Sequence, residues 1–258
     1  MLLAIDSGNT NIVFAVFDDA GDIKGEWRSS TTSERTADEY GIWLAQLREM
    51  SKIKRSDITH AIIASVVPAT VFSLKTLCRT YFDCEPLIVG ENNIDLGLNV
   101  LVEKPEDVGD DRLVSAVAAY EQFGGPLIVV DFGTATTFDV IDKGGNYCGG
   151  VIAPGVNLSL EALHRAAAKL PRVAIERPEK VVGQATVPAM QSGIFWGYIS
   201  LIEGLVQRIS DEMEITPKVI ATGGLSPLFA EFTDAINESA PDLTLRGLYS
   251  IHNRNLPA

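Results

Sequence analysis

The chain has 258 residues, which is long for one domain and sufficient for two of roughly 100–150 residues each. It carries 34 acidic against 21 basic side chains, and the resulting formal charge of −13 disfavours nucleic-acid backbones and anionic membranes as partners. An ordinary hydrophobic fraction, three cysteines without metal-like or redox spacing, no basic leader and no apolar run long enough for a bilayer together predict a soluble, cytoplasmic protein.

The first predicted element is a β-hairpin over residues 3–14. An apolar run enters a turn of small polar residues with the pattern Asp6-x-Gly8, and a second apolar run follows. Spacing and composition then predict a helix over 36–50, a buried strand over 61–68 that ends at a proline, a helix over 69–81 and a short strand over 86–89.

The second half of the chain repeats the order of the first. A helix over 113–120 leads to Gly124-Gly125-Pro126, which has the composition of a hinge, and a second hairpin follows over 128–138. Helices over 158–169 and 187–213 and a strand over 219–221 complete the repeat. Strands alternating with helices predict an α/β architecture, and the repetition predicts two domains, residues 1–117 and 118–258.

The two hairpin turns share one chemistry. Residues 131–134 match residues 6–9, with the aspartates Asp6 and Asp131 and the following glycines in register. Glycine lets a ligand approach the backbone closely, Asn and Thr side chains donate hydrogen bonds, and an aspartate can face a metal ion held on phosphates. A nucleotide held in a cleft between duplicated domains explains the matched pair, whereas one hairpin alone would be a tight polar turn.

Other nucleotide signatures are absent from the sequence. It contains neither a G-x-x-x-x-G-K-[ST] loop nor a G-x-G-x-x-G after a strand. Asp131-Phe132-Gly133 spells the DFG of protein kinases, but the glycine-rich loop, the V-A-I-K strand and the H-R-D loop are missing. The protein-kinase interpretation is therefore rejected.

A charged cluster, Gly109-Asp110-Asp111-Arg112, stands directly before an apolar helix. A helix N-terminus attracts anions, and a carboxylate beside an arginine offers both a proton acceptor and a clamp for a substrate carboxylate. The alternative is an N-capping aspartate beside a solvated arginine. Position alone does not separate these two interpretations.

The paired hairpins, together with Thr222-Gly223-Gly224 after a strand, resemble the phosphate and adenosine motifs of the superfamily that contains actin, sugar kinases and heat-shock ATPases. This resemblance implies two duplicated ribonuclease-H-like domains with the nucleotide between them, which is the actin-like ATPase fold.

In combination the motifs resemble one family closely, the type III pantothenate kinases. The resemblance covers nearly the whole chain and rests on residues 6–11, 65–68, 109–112, 131–137, 149–155, 170–171, 186–190 and 222–224. It implies ATP-dependent phosphorylation of pantothenate to 4'-phosphopantothenate, the first step of coenzyme A biosynthesis. It further implies a cytoplasmic homodimer that uses a divalent cation, Mg²⁺, with ATP and a monovalent cation, potassium or ammonium.

The resemblance also implies residue roles. Asp111 matches the proton acceptor, Asp131 matches a ligand of the monovalent cation, and Asp6 lies near the divalent cation. The ATP-binding set is Asp6, Ser7, Gly8, Asn9, Thr10, Asn11, Ile12, Val13 and Thr134. The pantothenate-binding set is Gly109, Asp110, Asp111, Arg112 and Thr186.

One position departs from the family pattern. Many members carry a tyrosine that contacts pantothenate seven residues before the first glycine of the 109–112 motif, and this chain has Val102 there. The difference affects the wall of the substrate pocket. His60, His164 and His252 match no family role and are interpreted as packed or surface residues.

The long helix over 187–213 is predicted to be apolar nearly all round, which favours burial on more than one side and a homodimer seam. Two alternative functions remain open at this point. One is another small-molecule kinase of the same superfamily, which need not carry the 109–112 motif. The other is a non-catalytic regulatory homologue, against which the intact Asp6, Asp111 and Asp131 argue.

Overall fold

The structure is a computed structural model that describes residues 1–91, 94–167 and 170–256. Its elements in chain order are β1 (Leu2–Ser7), β2 (Asn11–Phe17), β3 (Ile23–Ser30), α1 (Ala37–Met50), β4 (His60–Ser65), α2 (Pro68–Phe82), β5 (Leu87–Ile88), α3 (Asp110–Phe123), β6 (Leu127–Phe132), β7 (Ala135–Ile141), β8 (Tyr147–Pro154), α4 (Val156–Ala166), α5 (Thr186–Met213), β9 (Lys218–Thr222), α6 (Ser226–Ala230), β10 (Glu238–Ser239) and α7 (Leu243–Arg254).

These elements fall into two compact units. The first holds Met1–Leu98, Glu103–Ala118 and the residues from Thr244 onward, and the second holds Asn99–Val102 and Ala119–Leu243. The division into domains 1–117 and 118–258 stays a prediction. The compact units differ from it mainly because α7, near the C-terminus, packs with the first unit.

Both units contain a five-stranded sheet of the same topology. The first sheet has the order β3-β2-β1-β4-β5 and the second, in the equivalent direction, β8-β7-β6-β9-β10. In each sheet the central strand is antiparallel to the next strand in sequence and parallel to the strand that returns after a helix. This equivalence confirms the predicted duplicated α/β fold.

The duplication extends to the register of single residues. Asp6 pairs with Val13 and Ala64, and Asp131 pairs with Thr137 and Thr222, so each aspartate is the penultimate residue of its central strand. The turns differ by one residue, since residues 8–11 separate the last pair of the first hairpin and residues 133–135 that of the second.

The first sheet is covered on both faces. Leu3 and Ile5 face one core cluster with residues of α1 and α2, whereas Leu2 and Ala4 face a second cluster with residues of α3 and α7. Because side chains alternate along a strand, burial on both faces requires a continuous apolar run, which is what β1 has.

Local signals account for the helix starts. The side chain of Thr36 accepts from the backbone N–H of Glu39 while the Glu39 carboxylate accepts from the backbone N–H of Thr36, a capping box that begins α1 where the sequence predicts it. Pro68 is the first residue of α2, so β4 ends at Ser65, earlier than predicted, because proline fits the first helical position. The predicted end of the fourth helix, Lys169, lies outside the described residues.

The core of the second unit is built on α5 and α6. Phe229 of α6 stacks on Phe132 with ring centroids 5.1 Å apart and an interplanar angle of 2°, and it also contacts Phe195 and Tyr198 of α5.

Helices in the described ranges lack the combination of length and apolar composition needed to cross a bilayer.

The sequence predicts apolar residues nearly all round α5, whereas in the structure part of one side of the helix carries small residues. Its large apolar residues, including Phe195 and Ile202, are buried within their own unit. The exposed side carries Ala189, Gly193 and Gly197, spaced four residues apart, and a Cβ at either glycine would meet nothing within 4 Å. Most of the large apolar residues of α5 are therefore covered inside one chain, although Val187 and Met213 at its two ends are exposed. Between these ends the exposed side includes a stripe of small residues that is suited to close approach.

Candidate active site

Hydrogen bonds to backbone carbonyl groups fix the conformation of the first hairpin turn, residues 8–11. Gly8 N donates to Asn11 O (3.0 Å), and Thr31 donates through its N to Thr10 O (3.0 Å) and through its Oγ1 to Gly8 O (2.6 Å). The residues Asn9, Thr10 and Asn11 are exposed. The fixed backbone thus presents a polar turn of the kind that binds phosphate oxygens.

The end of β1 is tied to the connection between β4 and α2. Val66 N donates to Ser7 O (3.1 Å), and the buried hydroxyl groups of Ser7 and Thr70 lie 2.8 Å apart. The Thr70 hydroxyl also donates to Val67 O (2.9 Å). Thr70 therefore fixes this connection against the first turn, a role that sequence analysis missed.

The cluster Gly109-Asp110-Asp111-Arg112 forms the start of α3. The backbone N of Arg112 donates to Oδ1 of Asp111 (2.8 Å). A Cβ at residue 109 would lie 2.7 Å from that Oδ1 and 3.5 Å from Cγ1 of Val66, so the carboxylate folds back over Gly109 beside the β4–α2 connection. The structure thus brings three predicted motifs of the first unit into contact.

Asp110 occupies a restricted site in the same turn. Gly90 has a φ of +88°, and a Cβ there would lie 2.8 Å from Oδ1 of Asp110. Burial and the neighbouring Asp111 carboxylate raise the pKa of Asp110 to about 6. Asp110 therefore takes up a proton at a higher pH than an ordinary aspartate does.

The second hairpin turn, residues 133–135, is supported from α4. Gly133 N donates to Ala135 O (3.0 Å), and Gly155 N, at the N-cap of α4, donates to Thr134 O (3.1 Å). A Cβ at residue 155 would lie 2.6 Å from Gly133 O and closer still to Thr134 O. Only glycine allows α4 to start so close to the turn.

Asp131 lies against the glycine pair that follows β9. Gly223 has a φ of +85°, and a Cβ there would lie 2.6 Å from Oδ1 of Asp131 and 2.7 Å from Phe132 O. Nearby in sequence, the buried Thr136 Oγ1 has no hydrogen-bond partner among the described residues. The structure thus brings the second and third predicted nucleotide motifs together.

Thr186 lies in a different part of the second unit. It begins α5 and lines an open groove of about 600 Å³ whose other walls are apolar. The lining residues are Leu163, Leu170, Thr186, Ala189, Met190, Gly193 and Ile194. The Thr186 hydroxyl is the one side-chain polar group that these walls contribute.

Val102, the departure from the family pattern, packs against β8. Residues 99–102 run beside Tyr147, which accepts from Leu101 N (2.7 Å) and donates from its own N to Asn99 O (2.8 Å). A Cβ at Gly149 would lie 3.6 Å from Cγ1 of Val102. The Val102 side chain therefore faces Gly149 of β8.

The residues present fit the two implied cations. Within the described ranges, no three His, Cys, Asp or Glu side chains gather closely enough to hold a metal by themselves. Mg²⁺ in kinases is bound by one or two carboxylates together with substrate phosphates, so a single aspartate such as Asp6 is sufficient. For the monovalent cation, the lack of a side chain at Gly223 leaves space beside Oδ1 of Asp131. The backbone carbonyl group of Phe132 borders the same space, so a carboxylate and a carbonyl oxygen are both available there.

Comparison with known proteins identifies the family. Residues 2–208 match the sequence model of the type III pantothenate kinases. The chain belongs to this family. A type III pantothenate kinase from Paramagnetospirillum magneticum is 69% identical over 256 residues, which cover 99% of this chain and 98% of that protein. Another from Rhodospirillum rubrum is 65% identical over 258 residues, the full length of both.

Solved structures show how widely the fold is shared. An activator of 2-hydroxyisocaproyl-CoA dehydratase from Clostridium difficile, with bound ADPNP, has a TM-score of 0.56 at 12% identity and covers 100% of this chain and 99% of its own. A polyphosphate/ATP-glucomannokinase from Arthrobacter has a TM-score of 0.51 at 16% identity, covering 98% and 99%. A Campylobacter jejuni protein named for the Baf family of transcriptional activators has a TM-score of 0.61 at 20% identity, covering 98% and 100%. At these identities the likeness shows the fold alone.

The match to the type III pantothenate kinases thus confirms the resemblance seen in the motifs, while the roles of single residues stay predictions. Three supporting residues escaped the sequence analysis, Thr70, Gly90 and Gly155. Gly155 belongs to the 149–155 motif but had no predicted role, Thr70 is an ordinary hydroxyl residue in the first turn of α2, and Gly90 is an ordinary glycine after β5. Their contacts alone reveal what they do.

Proposed function

We propose that this chain transfers the γ-phosphoryl group of ATP to the primary hydroxyl of pantothenate, with Asp111 as the proton acceptor. Its membership of the type III pantothenate kinases makes it an enzyme of coenzyme A biosynthesis that phosphorylates pantothenate. The observation that carries the role of Asp111 is its place in the first turn of α3, with its carboxylate folded over Gly109 next to the connection bound to Ser7.

The proposed phosphoryl transfer needs few protein groups. The pantothenate hydroxyl oxygen forms a bond to the γ-phosphorus, the bond from that phosphorus to the β–γ bridging oxygen breaks, ADP leaves, and the hydroxyl proton passes to Asp111. Because the transition state of phosphoryl transfer is loose, the protein contributes mainly positioning and charge neutralisation. Residues 6–13 and Thr134 bind ATP in this proposal, and Gly109, Asp110, Arg112 and Thr186 bind pantothenate.

Two cations supply further positive charge in the proposal. Asp6 would hold Mg²⁺ together with the phosphates of ATP, and the ion would supply neutralisation of the charge that develops on the phosphoryl group. Asp131 would hold potassium or ammonium, which would offset more of the phosphate charge. This role suits a chain in which neither hairpin turn contains a lysine.

The most informative experiment measures pantothenate phosphorylation by the purified chain with potassium, with ammonium and with sodium as the sole monovalent cation. We expect activity with the first two and little with sodium. The Asp131→Ala variant should lose the difference between the cations and use ATP less well. Full activity of the unchanged chain in sodium alone would contradict the proposed role of Asp131 as a ligand of potassium or ammonium.

Neither alternative function has support of its own. Another small-molecule kinase would be revealed by phosphorylation of a different alcohol in a panel of substrates, with pantothenate unreacted. A regulatory homologue would bind nucleotide or pantothenate without turnover. The intact Asp6, Asp111 and Asp131 and the acidic charge of −13 favour the enzyme over a regulator that contacts DNA.

A homodimer built on α5 is part of the proposal. The stripe of Ala189, Gly193 and Gly197 allows a second helix to approach closely, and the apolar groove that includes Thr186 borders it. Two-fold packing of this helix on its copy would cover both features at once. Thr186 would then lie near the partner chain, which couples assembly to the use of pantothenate.

Gly197 offers a sharp test of this assembly. Gly197→Gln adds a bulky side chain where a Cβ meets nothing within 4 Å, and it improves helix propensity, so the single chain should remain folded. We expect light scattering to show two chains for the original protein and one for the variant, with pantothenate turnover reduced. Gly197→Ala is the graded control and should retain more of the dimer. A monomeric original protein, or a dimeric Gly197→Gln, would refute the proposed seam.

The proposed location is the cytoplasm. All three cysteines, Cys78, Cys84 and Cys148, are free thiols. Unpaired thiols suit a reducing compartment. Burial raises the pKa of the Cys78 thiol, so this group is unreactive and structural.

A further inference from the structure

One tyrosine of α5 bonds the strand end from which α4 begins. The hydroxyl of Tyr198 donates to the backbone carbonyl of Pro154, at the end of β8, over 2.8 Å. The same hydroxyl lies 2.6 Å from Oγ of Ser159, in the first turns of α4. Tyr198 itself is buried, with 7% of its surface exposed.

The bonded strand end leads directly into the support of the second hairpin turn. The residue after Pro154 is Gly155, whose N donates to Thr134 O and whose Cα approaches the carbonyl groups of Gly133 and Thr134. Two hydrogen bonds and one peptide link therefore join the Tyr198 hydroxyl to the turn that carries Thr134. Gly155 cannot move away from Thr134 unless Pro154 moves as well.

The ring of Tyr198 makes a second connection to the same turn. It contacts Phe229 with centroids 6.2 Å apart, and Phe229 stacks on Phe132, the residue between Asp131 and Gly133. The hydroxyl and the ring thus support the two sides of the turn separately. Removal of the hydroxyl alone would leave the ring contact in place.

We propose that Tyr198 is a positioning residue for ATP, whose hydroxyl holds the second hairpin turn in the form that binds the nucleotide. This inference rests on the proposed ATP and cation roles of Thr134 and Asp131. Since Tyr198 stands on the helix that begins with Thr186, it also links the support of the nucleotide turn to the helix proposed to contact pantothenate.

The test is Tyr198→Phe, which keeps the ring and removes one hydroxyl. We expect the KM for ATP to rise about 5-fold, the effect of one neutral hydrogen bond, while the KM for pantothenate stays close to that of the original chain. The potassium concentration for half-maximal activity should rise in parallel. A role confined to stability would lower the melting temperature and leave both of these quantities unchanged.

Ser159→Ala is the matched control, because it removes the neighbouring hydroxyl and leaves the bond from Tyr198 to Pro154 intact. It should leave the KM for ATP unchanged. An unchanged KM in Tyr198→Phe, or an equal rise in Ser159→Ala, would overturn the inference.

Asp131→Asn separates this inference from the function on which it rests. If Asp131→Asn raises the KM for ATP and Tyr198→Phe does not, the positioning role alone is wrong. If Asp131→Asn leaves both ATP use and activation by potassium unchanged, the proposed cation role of Asp131 is wrong and the inference that rests on it fails as well.

Discussion

The carboxylate of Asp131 fills the space that a side chain at residue 223 would need. A Cβ at Gly223 would lie 2.6 Å from Oδ1 of Asp131, and the φ of +85° at Gly223 is one that other residues adopt only with strain. The two residues come from neighbouring parallel strands, since Asp131 pairs with Thr222 across β6 and β9. Gly223 therefore sets the position of the carboxylate proposed to hold a monovalent cation.

Gly223→Ala should damage both the nucleotide site and the fold. A Cβ at residue 223 would lie 2.7 Å from Phe132 O, and this backbone clash adds to the cost of about 1 kcal/mol or more for a non-glycine residue in left-handed backbone. Displacement of Asp131 should in addition lower kcat/KM for ATP by about 10-fold or more and weaken activation by potassium in the fraction that remains folded. Steady-state kinetics at several potassium concentrations measure both effects. Gly224→Ala, where a Cβ meets nothing within 4 Å, should lose much less activity and potassium activation. Equal losses in the two variants would contradict the role of the close contact.

Asp111→Asn should reduce turnover while nucleotide binding survives. The amide keeps the shape of the carboxylate and cannot accept the hydroxyl proton, so kcat should fall by about 100-fold or more if general-base catalysis makes its usual contribution. Calorimetric titration with ADP checks that the hairpin turns still bind nucleotide. Near-native turnover of this variant would assign the proton acceptor to another group.

Asp110→Asn should stabilise the chain at alkaline pH and not in acid. The pKa of Asp110 is raised from 3.8 to about 6, so the folded state binds the proton more tightly than the unfolded chain, and stability falls as the pH rises between these values. The amide avoids this loss, and we expect the variant to gain about 1–2 kcal/mol relative to the original chain at pH 8 compared with pH 4. Urea unfolding at both values measures it.

The exposed Asp107, three residues earlier, provides the matched control. Asp107→Asn removes the same charge near the same helix end without relieving burial, so its effect should change little between the two pH values. If the two variants show the same pH dependence, the restricted site under Gly90 does not perturb Asp110.

His252→Gln should reduce the loss of stability in acid. Burial, the nearby His60 and the N-terminal ammonium group lower the pKa of His252 from 6.5 to about 4. The unfolded chain therefore binds the proton more tightly, and stability is lost as the pH falls from 6.5 towards 4. We expect the original chain to lose about 2–3 kcal/mol more than the variant between pH 7 and pH 4.

His60→Gln tests the cause of that shift. The rings of His60 and His252 lie 5.2 Å apart, so removal of His60 should relieve part of the repulsion and part of the acid loss. Chemical denaturation of all three proteins across the pH range measures the differences. An acid loss that is identical in the original chain and both variants would show that His252 is not its source.

The sequence by itself determined the fold class, the family and the location of most candidate site residues. The Asp-x-Gly pattern before and after Gly124-Gly125-Pro126 predicted the duplication because the turn and the flanking apolar runs are local features. Helices α1, α2 and α5 were predicted for the same reason, since helical spacing and end signals lie within a few residues of one another.

Tertiary structure decided which of these features meet and what supports them. Nothing local reveals that Gly223 receives the Asp131 carboxylate, that Gly90 makes room for Asp110, or that Tyr198 bonds the strand end beside Thr134. Each of these contacts joins residues far apart in the chain, through strand pairing and helix packing that depend on the whole sheet. The apolar character of α5 shows the same limit. Composition gives the hydrophobicity of a helix, whereas only packing shows that its own unit covers most of the large side chains and leaves glycines exposed.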